Sequence, residues 1–308
     1  MLTRRSLLTT SMGAGLALTG SHAATAQTAR PKRVIVDSQI HLWKANTPDR
    51  PWTPGTQAQL PEPMTIERVL PLLEEGGVDR VVIVPPTLEG VRFDYGQEAA
   101  RRYPGRFGTM ARIDLNDPKE AARLPVLRRE PNVLGVRLNI AGDLTKGLSD
   151  GQFDWFWPAA EKAGLPVMFL TTGQTPLFGS IAERHPALTL IIDHMGVSSA
   201  AVTNNTVPET IAQSAALAKY PNVSVKLSAS PLFSREAYPF RDMTPHIQRL
   251  FDSFGPQRCY WGTDVTNSFA KCTYKQRVTH FTEELPFLSE DDKDWIMGRG
   301  LLQRLGWT

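Results

Sequence analysis

Leu188-Thr189-Leu190-Ile191-Ile192-Asp193-His194-Met195-Gly196 is a nearly continuous apolar run that ends in a carboxylate and an imidazole. A run without polar alternation suits a parallel strand covered on both faces, not one half in water. Helical patterns flank it at 176–185 and 208–219. The same unit recurs outward in both directions. Strands are predicted at 34–42, 79–84, 107–114, 134–140, 166–171, 188–194, 223–228 and 259–264. Helices are predicted at 65–75, 95–103, 118–129, 153–163, 176–185, 208–219, 239–254 and 289–305. Gly76-Gly77, Tyr103-Pro104, Ala163-Gly164 and Tyr220-Pro221 punctuate several helix ends just before the next strand. Strict alternation repeated eight times predicts an α/β fold, a single (β/α)8 TIM-like barrel over residues 31–308. A doubly wound open sheet is the alternative. No Gly-x-Gly-x-x-Gly opens a helix to support a dinucleotide site on such a sheet.

The composition narrows the function classes. Of 308 residues, 41% are hydrophobic and 21% charged, which argues against disorder. The net charge of +3 falls to +1 once Arg4 and Arg5 are set aside, too little for a nucleic-acid footprint. Those arginines open residues 1–26, where a mild apolar stretch leads to the small-residue site Ala24-Thr25-Ala26. This layout predicts a cleaved twin-arginine export signal and a periplasmic protein. Nothing after residue 30 approaches the roughly 18 apolar residues of a spanning helix. Two cysteines can build neither a disulfide scaffold nor a four-cysteine zinc site. An oxidising compartment would permit a Cys259–Cys272 bridge, but the intervening strand carries the chain roughly 16 Å away.

In a barrel, chemistry gathers at the C-terminal ends of the strands. Side chains alternate along a strand, so parity sorts them. Asp37, Gln39 and His41 are expected on one face of the first strand, and Arg112 and Asp114 on one face of the third. Arg137 and Asn139 close the fourth, Ser224, Lys226 and Ser228 the seventh, and Asp264 the eighth. Asp193 has the opposite parity to His194 and reads as structural. So many polar groups at equivalent strand ends are costly to bury for packing alone. Packing explains any one of them: a strand-end His is commonly structural, Arg137 could bridge to a loop carboxylate, and Lys226 could snorkel. The joint placement of His41, His194 and Asp264 points to function. No Gly-x-Ser-x-Gly elbow is present, and Cys259 sits at the wrong end of its strand for a nucleophile.

At these residues the chain resembles the amidohydrolase-related (amidohydrolase 2) family, in the lactonase branch that holds L-fuconolactonase and 2-pyrone-4,6-dicarboxylate lactonase. The matching stretches are Val36-Asp37-Ser38-Gln39-Ile40-His41-Leu42-Trp43, Ile192-Asp193-His194-Met195-Gly196, Asn222-Val223-Ser224-Val225-Lys226-Leu227-Ser228 and Trp261-Gly262-Thr263-Asp264. The resemblance spans roughly 34–306 and implies the same barrel. It also shows departures. Metal-dependent members carry His-x-His on the first strand, where this chain has Gln39-Ile40-His41. They carry a His at the end of the fifth strand, where this chain reads Met168-Phe169-Leu170-Thr171-Thr172. Arg137 stands where a carboxylated lysine would bridge two metals. Only His41, His194 and Asp264 remain as ligands for a single divalent ion such as zinc. No required metal is therefore expected.

The resemblance implies hydrolysis of a small acidic lactone. Asp264 is the expected general base, with its pKa raised by a dry site. His194 would orient the water or stabilise the developing alkoxide. His41 and Gln39 would donate to the lactone carbonyl. Arg112 and Arg137, with Asn139, would hold a substrate carboxylate, and Lys226 would be a second anion clamp or polarise the carbonyl. Trp43 and Trp261 would wall the pocket or pack in the core. Two other functions compete: a metal-dependent decarboxylase or amidohydrolase of the same superfamily, and a periplasmic barrel that binds a sugar acid without turnover.

Overall fold

The eight apolar runs become eight short strands: β1 Val36–Ile40, β2 Arg80–Ile83, β3 Phe107–Ala111, β4 Val133–Ile140, β5 Val167–Thr171, β6 Leu190–Ile192, β7 Val223–Ser228 and β8 Cys259–Gly262. They pair in parallel and in sequence order, β1 through β8. This computed structural model describes residues 32–171 and 173–308, of which Arg33–Thr308 form one unit. The export leader expected at 1–26 lies outside the described residues.

The first and last strands meet at a seam held by a side chain. Asp264 N donates to the Gln39 carbonyl at 2.9 Å. Below it, the Asp37 carboxylate accepts from Thr263 N at 2.9 Å, Thr263 Oγ1 at 2.5 Å and the Tyr274 hydroxyl. Gly262 permits this approach, since a Cβ there would come within 2.3 Å of Ser38 Oγ. Asp37 is thus a seam residue and does not share the inward face of Gln39 and His41. The register shifts between Asp37 and Ile40, and parity counted through the shift fails.

Two apolar layers follow from the strand alternation. Inward residues such as Val36, Val82, Met110, Met168, Ile191 and Tyr260 fill the lower barrel, which Leu301, Leu305 and Trp307 help to pack. Outward residues pack against helices such as Ile66–Gly76, Phe156–Ala163 and Thr244–Phe254.

The remaining differences have local causes. The segment after β8, read as loop, contains the helix Tyr274–Thr282. It opens with a capping box, Thr273 with Gln276, which is a legible helix start. The helix expected at 118–129 is a 3-10 turn, Pro118–Ala122, followed by Leu124–Leu127 with Pro125 in its first turn. The helix expected at 239–254 begins at Thr244, again with a proline in its first turn. Cys259 and Cys272 are free thiols, and burial raises the pKa of both. Among the described residues, no helix is long and apolar enough to cross a membrane.

Candidate active site

At the C-terminal ends of the strands a cavity of about 220 Å³ opens, lined by His41, Arg137, Asn139, His194, Phe233, Asp264 and Asn267 among others. A neighbouring recess of about 190 Å³ shares Thr87, Arg137 and Asn139 with it and adds Arg112 and Asp114. The trio His41, His194 and Asp264 therefore meets in one cavity, as do Arg137 and Asn139.

Backbone turns, not strand parity, deliver two of the three. β6 ends at Ile192, and His194 and Met195 adopt left-handed backbone with φ of 51° and 60°. Asp264, just past β8, has φ 47°. Such conformations cost on the order of 1–2 kcal/mol for a residue with a Cβ. They turn the side chains across the barrel mouth, where the surrounding bonds hold them.

Asp264 is the centre of the constellation. Its Oδ1 lies 3.1 Å from His41 Nε2, and its Oδ2 accepts from Asn267 Nδ2 at 2.8 Å. His194 Nε2 is 3.9 Å from Oδ2. The far nitrogens of both imidazoles are anchored. His41 Nδ1 is 2.6 Å from the Val84 carbonyl, which can only accept, so Nδ1 carries the proton. His194 Nδ1 is 2.8 Å from Ser228 Oγ.

The electrostatics correct one expectation. The Asp264 pKa is not raised. Burial pushes it up, but His194, His41 and the Asn267 bond outweigh burial and hold it below the usual carboxylate range. Asp264 is an ionised, ready base at neutral pH. Burial lowers His194 to about 4, reinforced by the Lys226 and Arg137 charges, so its imidazole is neutral. Arg112 falls to about 10, through burial and then the nearby Arg137 cation. Its bonding is to the Pro85 carbonyl, at 3.2 Å.

Beneath the cavity lies a second polar layer. Asp193, wholly buried, pairs with Arg137 Nε at 3.0 Å and Lys226 Nζ at 2.7 Å. Lys226 also donates to Gln39 Oε1 and to the Ser38 carbonyl, the latter at 3.3 Å. Gln39 Nε2 then stands 3.5 Å from His41 Nε2. Two expectations change here. Gln39 and Lys226 are held against each other below the cavity instead of facing a substrate. Asp193 has the parity of the inward Ile191 and is a charged hub of the interior. Of the two places expected for Trp43 and Trp261, they take the core outside the barrel, where Trp261 Nε1 donates to the Arg277 carbonyl at 3.2 Å. Sequence reading also missed Asn267, Gln59 and Phe233. Asn267, three residues after Asp264, carried a faint signal as a short amide in the same turn. Gln59 lies in a loop and Phe233 ends the short helix Ser230–Phe233, neither with a readable pattern.

His41, His194 and Asp264 are the side chains a single divalent ion would need. The residues present do not fit one. Lys226 holds the Gln39 oxygen, so the amide turns a nitrogen, which is no ligand, toward His41. The Arg137 and Lys226 cations both act on His194. Among the described residues, no group of three or more His, Cys, Asp or Glu side chains is arranged to hold a metal.

Comparison with known proteins agrees with this architecture. The chain is 28% identical over 243 residues to an L-fucono-1,5-lactonase of Burkholderia ambifaria, covering 74% of this chain and 79% of that one. It is 26% identical over 248 residues to a 4-sulfomuconolactone hydrolase of Hydrogenophaga intermedia, covering 75% of this chain and 74% of that one. A zinc-bound amidohydrolase structure from Burkholderia multivorans superimposes with a TM-score of 0.75 at 21% identity, covering 89% of this chain and 99% of that one. That likeness establishes the barrel. The Amidohydrolase family matches residues 36–299, and with the strand order and site geometry this makes the chain a hydrolytic enzyme belonging to that family.

Proposed function

We propose that this enzyme opens the ring of a small lactone bearing a carboxylate or similar anion, using water activated by Asp264 and no metal. One observation carries the reading: an ionised buried carboxylate between two anchored imidazoles shares a cavity with the Arg137 guanidinium. Arg112 lines the adjoining recess beside Arg137 and Asp114. Two guanidiniums at one mouth suit a substrate carboxylate through their planar donor forks. The two relatives named for lactones, one a fuconolactone and one a sulfomuconolactone, support the reaction class.

The geometry suits two steps. Asp264 takes a proton from water as the oxygen attacks the lactone carbonyl. The tetrahedral intermediate then collapses, the ring C–O bond breaks, and the protonated Asp264 returns its proton to the leaving alkoxide. His194, neutral and held by Ser228, orients the water through Nε2. Arg137 and Asn139 line the cavity and can donate to the carbonyl oxygen or substrate anion, with Arg112 facing the adjoining recess. A panel of lactones in a pH-indicator assay tests the proposal, each acid paired with its neutral primary amide. Turnover of acids in preference to amides is expected. No turnover of any lactone, with sugar acids bound, would replace it with the binding protein. Decarboxylation without ring opening would replace it with the decarboxylase.

The leader reading belongs to the same proposal. Arg4-Arg5 and cleavage after Ala26 would deliver a folded enzyme to the periplasm. Protein from the native compartment that still began at Met1 would refute it.

A further inference from the structure

Asp193 is wholly buried, lines neither the cavity nor the recess, and yet takes two cations at once. Its Oδ2 holds Arg137 by Nε, at 3.0 Å, which is the side of the guanidinium away from its tip. The rest of the guanidinium is thereby left to line both the cavity and the recess. Its Oδ1 holds Lys226 at 2.7 Å, and Lys226 in turn fixes the Gln39 amide against His41. Met168 Sδ, 3.4 Å from Lys226 Nζ, and the Ser38 carbonyl close the remaining sides of the ammonium. A continuous chain of charged and polar contacts thus runs from Arg137 through Asp193, Lys226 and Gln39 to His41.

We propose that Asp193 is the positioning residue that aims the Arg137 guanidinium at the substrate anion, with Lys226 as the counter-cation that keeps this carboxylate buried. A long side chain with several rotatable bonds has no fixed aim of its own. Fixing Nε from below removes most of that freedom and leaves the planar fork ready for an anion. Lys226 is needed because a carboxylate buried at this depth must have both oxygens bonded, and Arg137 Nε reaches only Oδ2. The proposal rests on the reading of Arg137 as the anion clamp, and the experiment separates the two.

Removing Asp193 alone would strand two buried cations, so Lys226 is neutralised with it. Asp193→Leu/Lys226→Met replaces the pair with apolar side chains and leaves Arg137 Nε without an acceptor. Asp193→Asn/Lys226→Met has the same net charge but restores an amide oxygen for Arg137 Nε. The readout is the kcat/KM ratio for a lactone acid over its primary amide, on protein shown to be folded by circular dichroism and cooperative melting. Loss through Gln39 and His41 affects both substrates and cancels. The leucine variant is expected to lower the ratio by about tenfold or more, and the asparagine variant to recover most of it. Equal ratios in wild type and both variants overturn the proposal. So does an equal fall in both, since a merely structural role would not distinguish them. If the leucine variant does not melt cooperatively, Asp193→Ala/Lys226→Met is read in its place. Arg137→Met separates the two readings. If it leaves the ratio unchanged, the clamp falls and the positioning role with it. If it lowers the ratio and the Asp193 variants do not, the positioning role alone falls.

Discussion

Asp264→Asn should remove turnover while leaving the fold intact, and the contacts of Asp264 say why both follow. The carboxylate has two neighbours in bonding range. Asn267 Nδ2 donates to Oδ2 at 2.8 Å, and His41 Nε2 lies 3.1 Å from Oδ1. His41 Nδ1 is committed to the Val84 carbonyl, so Nε2 can hold a proton toward a carboxylate or offer a lone pair to an amide. An asparagine can keep its oxygen toward Asn267 and place its nitrogen toward His41, where it donates to that lone pair. Every polar group keeps a partner, and a buried charge disappears. The stability change should therefore stay within about 1 kcal/mol, the scale of one exchanged hydrogen bond. An amide cannot take a proton from water. Loss of a general base costs on the order of 10²–10⁴ in rate, or roughly 3–5.5 kcal/mol of transition-state stabilisation. The assay is initial-rate lactone hydrolysis between pH 5 and 9 alongside a thermal melt. Retention of more than about a tenth of wild-type kcat/KM would fall outside the general-base range and refute the reasoning. Collapse of the melt would refute the hydrogen-bond exchange instead.

Three further outcomes are expected. With Asp264 held below the ordinary carboxylate range and His194 at about 4, kcat/KM should be flat through neutral pH and fall only near pH 4; an acid limb centred near 6.5 would show that His194 titrates as a free imidazole. Hydrolysis should survive exhaustive chelation, because Gln39 turns its nitrogen to the site; loss of activity restored by one equivalent of zinc would make His41, His194 and Asp264 ligands. Acid should destabilise the fold in two windows. His194 has its folded pKa lowered from 6.5 to about 4, so stability present above 6.5, about 3 kcal/mol, is lost as pH falls toward 4. Asp193 is held at about 2 by Lys226 and Arg137 against the burial that would raise it, so stability present above 3.8, about 2 kcal/mol, is lost only below that. Melts from pH 7 to 2 check the sign, and a Tm unchanged between pH 7 and 4 would contradict it.

The barrel was legible because burial on both faces leaves its mark on a chain. Runs such as 81–84 and 188–192 read as strands covered on both faces, and the helix punctuation between the strands fixes the alternation. The strand ends were legible for the same reason: polar residues at the close of an apolar run must face either water or a site. Which way each one faces was decided by tertiary structure. Parity with the inward Ile191 carries Asp193 into the interior, while β6 stops at Ile192 and His194 enters through a left-handed turn. On β1, the register shift sends Asp37 to the seam and Gln39 to Lys226, a residue 187 positions away. The sequence by itself determined which residues would gather at the mouth of the barrel. Only the tertiary structure decided which face the cavity and which lie beneath it. That choice depends on charge partners brought together by closing the sheet, and those partners have no local signature along the chain.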